Sequence, residues 1–451
     1  MNLYSLVKSL LYSEDKRTST IKKNIVGSIA VKGVSVVVSF LLVSLTIDYL
    51  QPELYGVWLI LSSILSWISF LDLGFTQGLK NKLTEAIAKD DWKRAKALVS
   101  TTYFMMLLIF VPVCIFLEFV TPYIDWCTWL NVSITHESDI VAVMKILFVF
   151  VCLQFIINVV ISVLAAFQRV AFSNLISAIG SVCSLITIIV VKHFFPPSLL
   201  VLSYALSMMP VISMFIGSLI LYRSSLESVR PSFSCIKFEY IGDLFNLGYK
   251  FFIINIQVVV LYQATNILIS NVSSPLDVTH YNLAYRYLNS AMMLFTLATA
   301  PLWPAYTDAF ARGDYKWMKS MKLKMNKFYS ISVIGCICLA LSSDFFYKIW
   351  VGDNVNIPYT MTSMVTIYVI IYCWVNLNGT FIVGIGKIKL DTILVVVGLF
   401  IHIPLSLLLG KYMRAYGVVL SMIIINLIYA TFFHIQVRKI LNQTAKGIWF
   451  S

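Results

Sequence analysis

Long apolar runs, separated by short polar joints, follow one another from near residue 25 almost to the end of the chain. A helix of about 20 residues spans roughly 30 Å of hydrocarbon. Runs of that length fall at roughly 25–48, 56–78, 98–120, 140–166, 172–192, 198–222, 244–270, 281–305, 328–350, 359–384, 390–411 and 416–438. The pattern therefore predicts twelve transmembrane helices. Residues 1–24 are polar and basic, with Leu3, Leu6, Val7, Leu10 and Leu11 at helical spacing. They fit a helix on the membrane surface or a loose tail equally well, and no apolar core leads to a signal-peptide cleavage site.

Composition agrees with this reading. The chain is 59% hydrophobic and only 12% charged, whereas a soluble globular chain carries about 25% charge. The net charge of +13 would suit nucleic acid, but its distribution points elsewhere. On one side of the membrane, the termini and alternate joints carry 26 Lys and Arg residues, against four (Lys192, Lys348, Lys411, Arg414) on the other. That asymmetry predicts cytoplasmic termini for a multi-pass membrane protein. The basic balance then serves topology and anionic lipid rather than a nucleic-acid groove. The eight cysteines lie mostly in apolar runs without CxxC pairing, and the histidines do not cluster near them. No metal site, disulfide framework or cofactor is expected.

One motif occurs twice. Thr84-Glu85-Ala86-Ile87-Ala88-Lys89-Asp90-Asp91-Trp92-Lys93 reappears 223 positions later as Thr307-Asp308-Ala309-Phe310-Ala311-Arg312-Gly313-Asp314-Tyr315-Lys316, and the same shift carries Pro52 onto Pro275. An offset near half the chain length marks one unit used twice. The expected organisation is a cytoplasmic segment (1–24), an N-lobe (25–222), a cytoplasmic linker (223–243), a C-lobe (244–438) and a cytoplasmic tail (439–451). Apolar residues at helical spacing (Leu83, Ile87 and Ala88; Phe310, Trp317 and Met321) suggest that each copy is a short amphipathic helix along the inner leaflet. Pro301 and Pro304 should break or kink the end of the eighth span.

Charges inside spans narrow the function. Lys32, Lys145, Lys250 and Arg286 fall within predicted spans, and Asp72 is the acid well inside one. An intramembrane charge costs a few kcal/mol or more, about what a cavity or a partner must offset. Cations in excess of acids suggest a wet, cationic cavity with an anionic guest. Snorkelling of these long side chains to the headgroups is the competing reading. The seventh span adds Asn255, Gln257, Tyr262 and Asn266 as candidate polar lining, which would equally serve contacts between helices. Asp72 is the candidate for a coupling cation, Na+ or H+, against a simpler role as partner of a helix end. No nucleotide-binding loop or catalytic grouping is present in the sequence, so an enzyme is not expected.

Several segments together resemble a family. Leu71-Asp72-Leu73-Gly74-Phe75, Gly78-Leu79-Lys80-Asn81-Lys82-Leu83 and Ala97-Leu98-Val99-Ser100-Thr101-Thr102-Tyr103 are similar to the first lobe of the Wzx-type flippases for O-antigen or capsule repeat units. These belong to the multidrug/oligosaccharidyl-lipid/polysaccharide (MOP) superfamily. Tyr281-Asn282-Leu283-Ala284-Tyr285-Arg286, Ala300-Pro301-Leu302-Trp303-Pro304-Ala305 and Gly384-Ile385-Gly386-Lys387-Ile388-Lys389-Leu390 agree in the second. The resemblance implies an all-α membrane protein with two pseudo-symmetric six-helix lobes around a central cavity. It further implies alternating access for a polyprenyl-diphosphate-linked oligosaccharide, with polysaccharide polymerase machinery as a conceivable partner. Two rivals stand beside it. A multidrug exporter of the same superfamily should carry interior acids, and a glycan-polymerising enzyme should have a large outer loop or an acidic cluster.

Overall fold

A computed structural model describes residues 16–68, 75–132, 137–167, 169–242, 244, 264–299, 302–352 and 355–450. Among these, the regular structure is α-helical with a few 3-10 turns, and seventeen α-helices have both ends within the described residues. They are α1 (Lys16–Leu50), α2 (Pro52–Ile68), α3 (Phe75–Ala88), α4 (Trp92–Val120), α5 (Trp126–Leu130), α6 (Glu137–Ile157), α7 (Val159–Ala166), α8 (Val170–Phe194) and α9 (Leu199–Arg223). The chain resumes with α10 (Thr265–Val272), α11 (Pro275–Thr299), α12 (Leu302–Ala311), α13 (Tyr315–Leu341), α14 (Ser343–Val351), α15 (Tyr359–Gly384), α16 (Lys389–Met413) and α17 (Ala415–Leu441).

Nine stretches of the described residues are long and apolar enough to cross a membrane. The remaining predicted spans fall on α2, on α11 and on a stretch lying mostly outside the described residues. Large apolar side chains face outward on these helices, as with Ile115 and Phe119 on α4, Ile331 and Ile334 on α13 and Phe400 on α16. Such continuous apolar exposure has no place in water and suits lipid. The protein is a helical multi-pass membrane protein.

The repeated motif explains itself in atomic detail, and it is not a single amphipathic helix. Each copy ends one helix, turns, and starts the next. Asp90 and Gly313 hold the left-handed backbone at φ 53° and 70°. The next residue then caps: Asp91 Oδ1 accepts from the Arg94 N–H and Asp314 Oδ1 from the Trp317 N–H, both at 2.9 Å. Their own N–H groups close the preceding helices, Asp91 onto the Ala86 carbonyl at 3.0 Å and Asp314 onto the Ala309 carbonyl at 2.9 Å. The same bonds recur at the same offset, which accounts for the residue types that repeat.

Two expectations change in consequence. First, Leu79, Leu83 and Ala86 on α3 are buried in a core with Leu98, Phe110, Phe155 and Leu164, so the apolar face of α3 meets protein. Second, the cap at Asp314 starts α13 at Tyr315, thirteen residues ahead of the predicted span at 328. The basic stretch assigned to a loop is thus the first turns of a long helix.

The other breaks follow local chemistry. Gln51 turns at φ 71° and Pro52 opens α2, where its missing N–H costs nothing. The predicted span at 140–166 is interrupted at Asn158, whose side chain accepts from Gln154 Nε2 at 2.8 Å. Of the two prolines expected to break the eighth span, Pro304 lies in the first turn of α12 and Pro301 falls outside the described residues. Exposed Lys89 hydrogen-bonds Glu85 at 2.8 Å and holds that carboxyl below its ordinary range.

The chain forms two compact units. The first comprises Met1–Gln51, Ile64–Thr128 and Ser133–Val259; the second, Pro52–Ser63, Trp129–Val132 and Val260–Ser451. Within the first, α1 and α8 are tied by the Lys192–Asp48 ion pair and by the Tyr49 hydroxyl donating to the Pro196 carbonyl at 2.6 Å. The stacked rings of Phe110 and Phe155, 4.3 Å apart, mark its core. Within the second, Tyr306, Phe381, Phe433 and Val437 form a core beneath α12. The Thr307 hydroxyl there donates to the Gly384 carbonyl at 2.6 Å.

Candidate functional site

Among the described spans, α11 differs most from its apolar neighbours. It is 25 residues long and long enough to cross a bilayer. Yet it misses the hydropathy of a span, because it carries Asp277, His280, Tyr281, Asn282, Tyr285, Arg286, Tyr287 and Asn289. A helix that spends so many positions on polar groups must bury them against partners or water.

The partners are visible. At its start, Gly56 of α2 lies so close to α11 that an added Cβ would stand 1.9 Å from the Pro275 carbonyl oxygen. The Thr279 hydroxyl donates to the Pro52 carbonyl at 2.7 Å. Asn131, at φ 53°, donates to the Ser270 carbonyl at 2.8 Å, and the Ser270 hydroxyl returns a bond to the Leu130 carbonyl. His280 pairs with Asp277 at 3.5 Å. One turn further on, Asn282 Nδ2 donates to Asn266 Oδ1 at 2.7 Å, joining α11 to α10. Asn266, expected as cavity lining, therefore has its side-chain oxygen engaged between helices.

Arg286 follows, half-buried and within electrostatic reach of the Tyr55 hydroxyl on α2. Separately, a file of tyrosines passes from α11 to α15: Tyr281 stacks on Tyr285 at 5.7 Å, Tyr285 meets Tyr368 at 6.3 Å, and Tyr368 meets Tyr372 at 6.1 Å. Tyr281 and Tyr368 are buried, Tyr285 and Tyr372 partly open. A guanidinium near the Tyr55 hydroxyl can hold a phosphate by forked hydrogen bonds, and the tyrosine rings of α11 and α15 can take a sugar by its apolar face.

The remaining candidates divide. Lys145 stands half-buried on α6. Lys32 is placed within α1. Lys250, Asn255, Gln257, Tyr262 and Asp72 lie outside the described residues. The model thus brings Arg286 and Asn266 to adjoining helices of one unit.

One interior cation escaped the sequence reading. Lys322, counted there in a cytoplasmic joint, is only 6% exposed and donates to Asn378 Oδ1 at 2.7 Å. The signal was the cap at Asp314: seven residues past Tyr315, a helix already running carries Lys322 about 10 Å inward. A second polar seam, where His402 Nδ1 meets the Ser421 hydroxyl at 3.1 Å between α16 and α17, also lay unmarked in apolar runs.

Comparison with known proteins agrees with this architecture. A family model described as "Polysaccharide biosynthesis protein" matches residues 21–310. A Yersinia pseudotuberculosis protein named for O-antigen export is 21% identical over 86% of this chain and 86% of its own length. A Salmonella typhimurium protein named as an O-antigen transporter is 21% identical over 85% of this chain and 88% of its own length. Among solved structures, an inward-facing MATE-family multidrug transporter of the MOP superfamily superposes with a TM-score of 0.76 at 13% identity, covering 92% of this chain and 98% of that one. An outward-facing structure from the same family gives 0.58 at 15% identity, covering 95% and 97%. The structural likeness carries the fold alone, a helical arrangement shared with those transporters. The family model covers well over half of the chain, and the protein therefore belongs to the polysaccharide biosynthesis protein family.

Proposed function

We propose that this protein flips polyprenyl-diphosphate-linked oligosaccharide repeat units from the cytoplasmic to the outer leaflet, for O-antigen or capsule assembly. The observation that carries the reading is Arg286, set on the polar helix α11 among tyrosines within a membrane protein. The diphosphate supplies the anion that an interior guanidinium calls for. The phenol hydroxyls and ring faces replace the hydration of the sugars, and the prenyl tail stays in lipid. Lys32, Lys145 and Lys250 are proposed as further cations along the path, Asn255, Gln257, Tyr262 and Asn266 as polar lining, and Asp72 as an ion-coupling candidate. No bond is made or broken. Transport is a shift between inward and outward states, driven by the differential affinity of substrate and a coupling cation for each. The cell setting is the bacterial inner membrane with both termini cytoplasmic, and polysaccharide polymerase machinery is the natural recipient.

The names of the relatives, which refer to O-antigen export, support this reading over multidrug export. So does the charge on α11. Its acid, Asp277, is paired with His280 near the start of the helix, whereas the group further in is a guanidinium. The test is export in cells. Arg286→Ala and Lys32→Ala should each impair surface polysaccharide while protein levels hold; full export in both variants would return these residues to simple lipid-headgroup contact.

A further inference from the structure

Lys322 has an environment that packing alone does not require. Its ammonium has three donors, one of which is used on Asn378, while the Trp374 ring lies 4.9 Å from Nζ. Asn378, itself fully buried, is fixed by donating to the Trp374 carbonyl at 2.7 Å. No carboxylate lies within 4.0 Å of Lys322 among the described residues. One turn along α13, buried Asn326 Oδ1 has no hydrogen-bond partner. A buried ammonium held only by a neutral amide and a ring is strongly disfavoured over one with a counter-ion.

The internal repeat shows that the fold does not need it. Eight residues after the capping aspartate, the first copy has Val99, fully buried in its core, where the second has Lys322. The equivalent helix therefore packs well on an apolar side chain, and the charge in the second copy is an addition.

On the other side of Trp374 is an open cavity of about 460 Å³ lined by Tyr329, Trp374, Thr431 and His434 among apolar residues of α15 and α17. At 6% exposure Lys322 has no room for a phosphate. A proton fits. The ionisable groups around it leave it unneutralised. His434 lies within reach of both Lys322 and Arg438 on α17. Tyr329, on α13 with Lys322, lies within electrostatic reach of Cys373 on α15. Tyr306 on α12 packs on Trp317.

We propose that Lys322 is a proton-exchange site of the transport cycle. The Nζ–H bond breaks, the proton passes to a water molecule in the cavity beside Trp374 and His434, and a neutral amine remains bonded to Asn378. The reverse transfer restores the ammonium. This names the coupling ion as a proton and rests on the reading of the chain as a transporter.

Trp374 reports the charge directly, since an ammonium over an indole perturbs its emission. With the full-length protein in nanodiscs, the difference in tryptophan emission between wild type and Trp374→Phe should show one transition between about pH 6 and pH 9. It should vanish in Lys322→Met, which the apolar counterpart Val99 indicates will fold, and in Lys322→Arg, whose charge is fixed. It should survive in His434→Gln. A flat wild-type signal, a transition persisting in Lys322→Met, or its loss in His434→Gln would each overturn the proposal. In proteoliposomes with lipid-linked oligosaccharide and an imposed pH gradient, both Lys322 variants should lose roughly tenfold or more of the gradient-driven flux. Wild-type rates in both variants would contradict the coupling. A wild type that moves no substrate at all would instead contradict the transport reading, with the optical titration still deciding whether Lys322 exchanges a proton.

Discussion

At Arg286, an interior cation in a membrane helix is costly, and what offsets the cost is the Tyr55 hydroxyl on α2 together with a half-open face. Arg286→Lys keeps the charge but loses the forked hydrogen bonds. Surface polysaccharide should fall several-fold in Arg286→Lys and be nearly abolished in Arg286→Ala, as read by gel staining at matched protein levels. Equal output from the Lys and Ala variants would mean that fork geometry plays no part. This residue was legible in the sequence, because a lone Arg between tyrosines falls inside a predicted span. Lys322 was not, because neighbouring lysines and the aromatic motif masked the point where the helix begins. Only the Asp314 cap reveals that start.

At the scale of elements, the repeated turn gives two independent measurements. Replacing Asp91 or Asp314 by Ala removes a cap and should each cost about 1 kcal/mol of stability, seen as a lower melting temperature in detergent. Asp90 occupies the left-handed position that Gly313 fills in the other copy. Asp90→Gly should therefore leave the melting temperature unchanged or raise it, since Gly meets no Cβ penalty there. A marked loss would mean that the Asp90 side chain has a role of its own. Gly56 sits where α2 and α11 come closest. Gly56→Val should destabilise by about 1–3 kcal/mol through overpacking, and unchanged melting would show that the crossing can open without cost. The spacing of apolar residues located these helices well but misread the motif as a surface helix. Periodicity tells which face is apolar and cannot tell whether lipid or protein covers it. Leu79 and Leu83 are covered by protein.

At the scale of the whole molecule, the halves share a turn that repeats bond for bond at an offset of 223 residues, yet they differ in what they bury. The first copy places Val99 in its core, and the second places Lys322 and Asn378 at the matching depth of its helix. Symmetry built the scaffold; the departures from it carry the chemistry. The helical membrane fold was readable from hydropathy, because hydropathy is a sum over many residues. The polar contacts at Asn131, Asn266 and Asn282 depend on how distant segments meet, which no local pattern encodes. The central claim, that the molecule carries a lipid-linked glycan across the membrane, is tested most directly by deleting the gene in a strain with no other flippase and locating the polyprenyl-diphosphate oligosaccharide. The account predicts its accumulation on the cytoplasmic face with loss of surface polysaccharide; normal surface polysaccharide in that strain would contradict it.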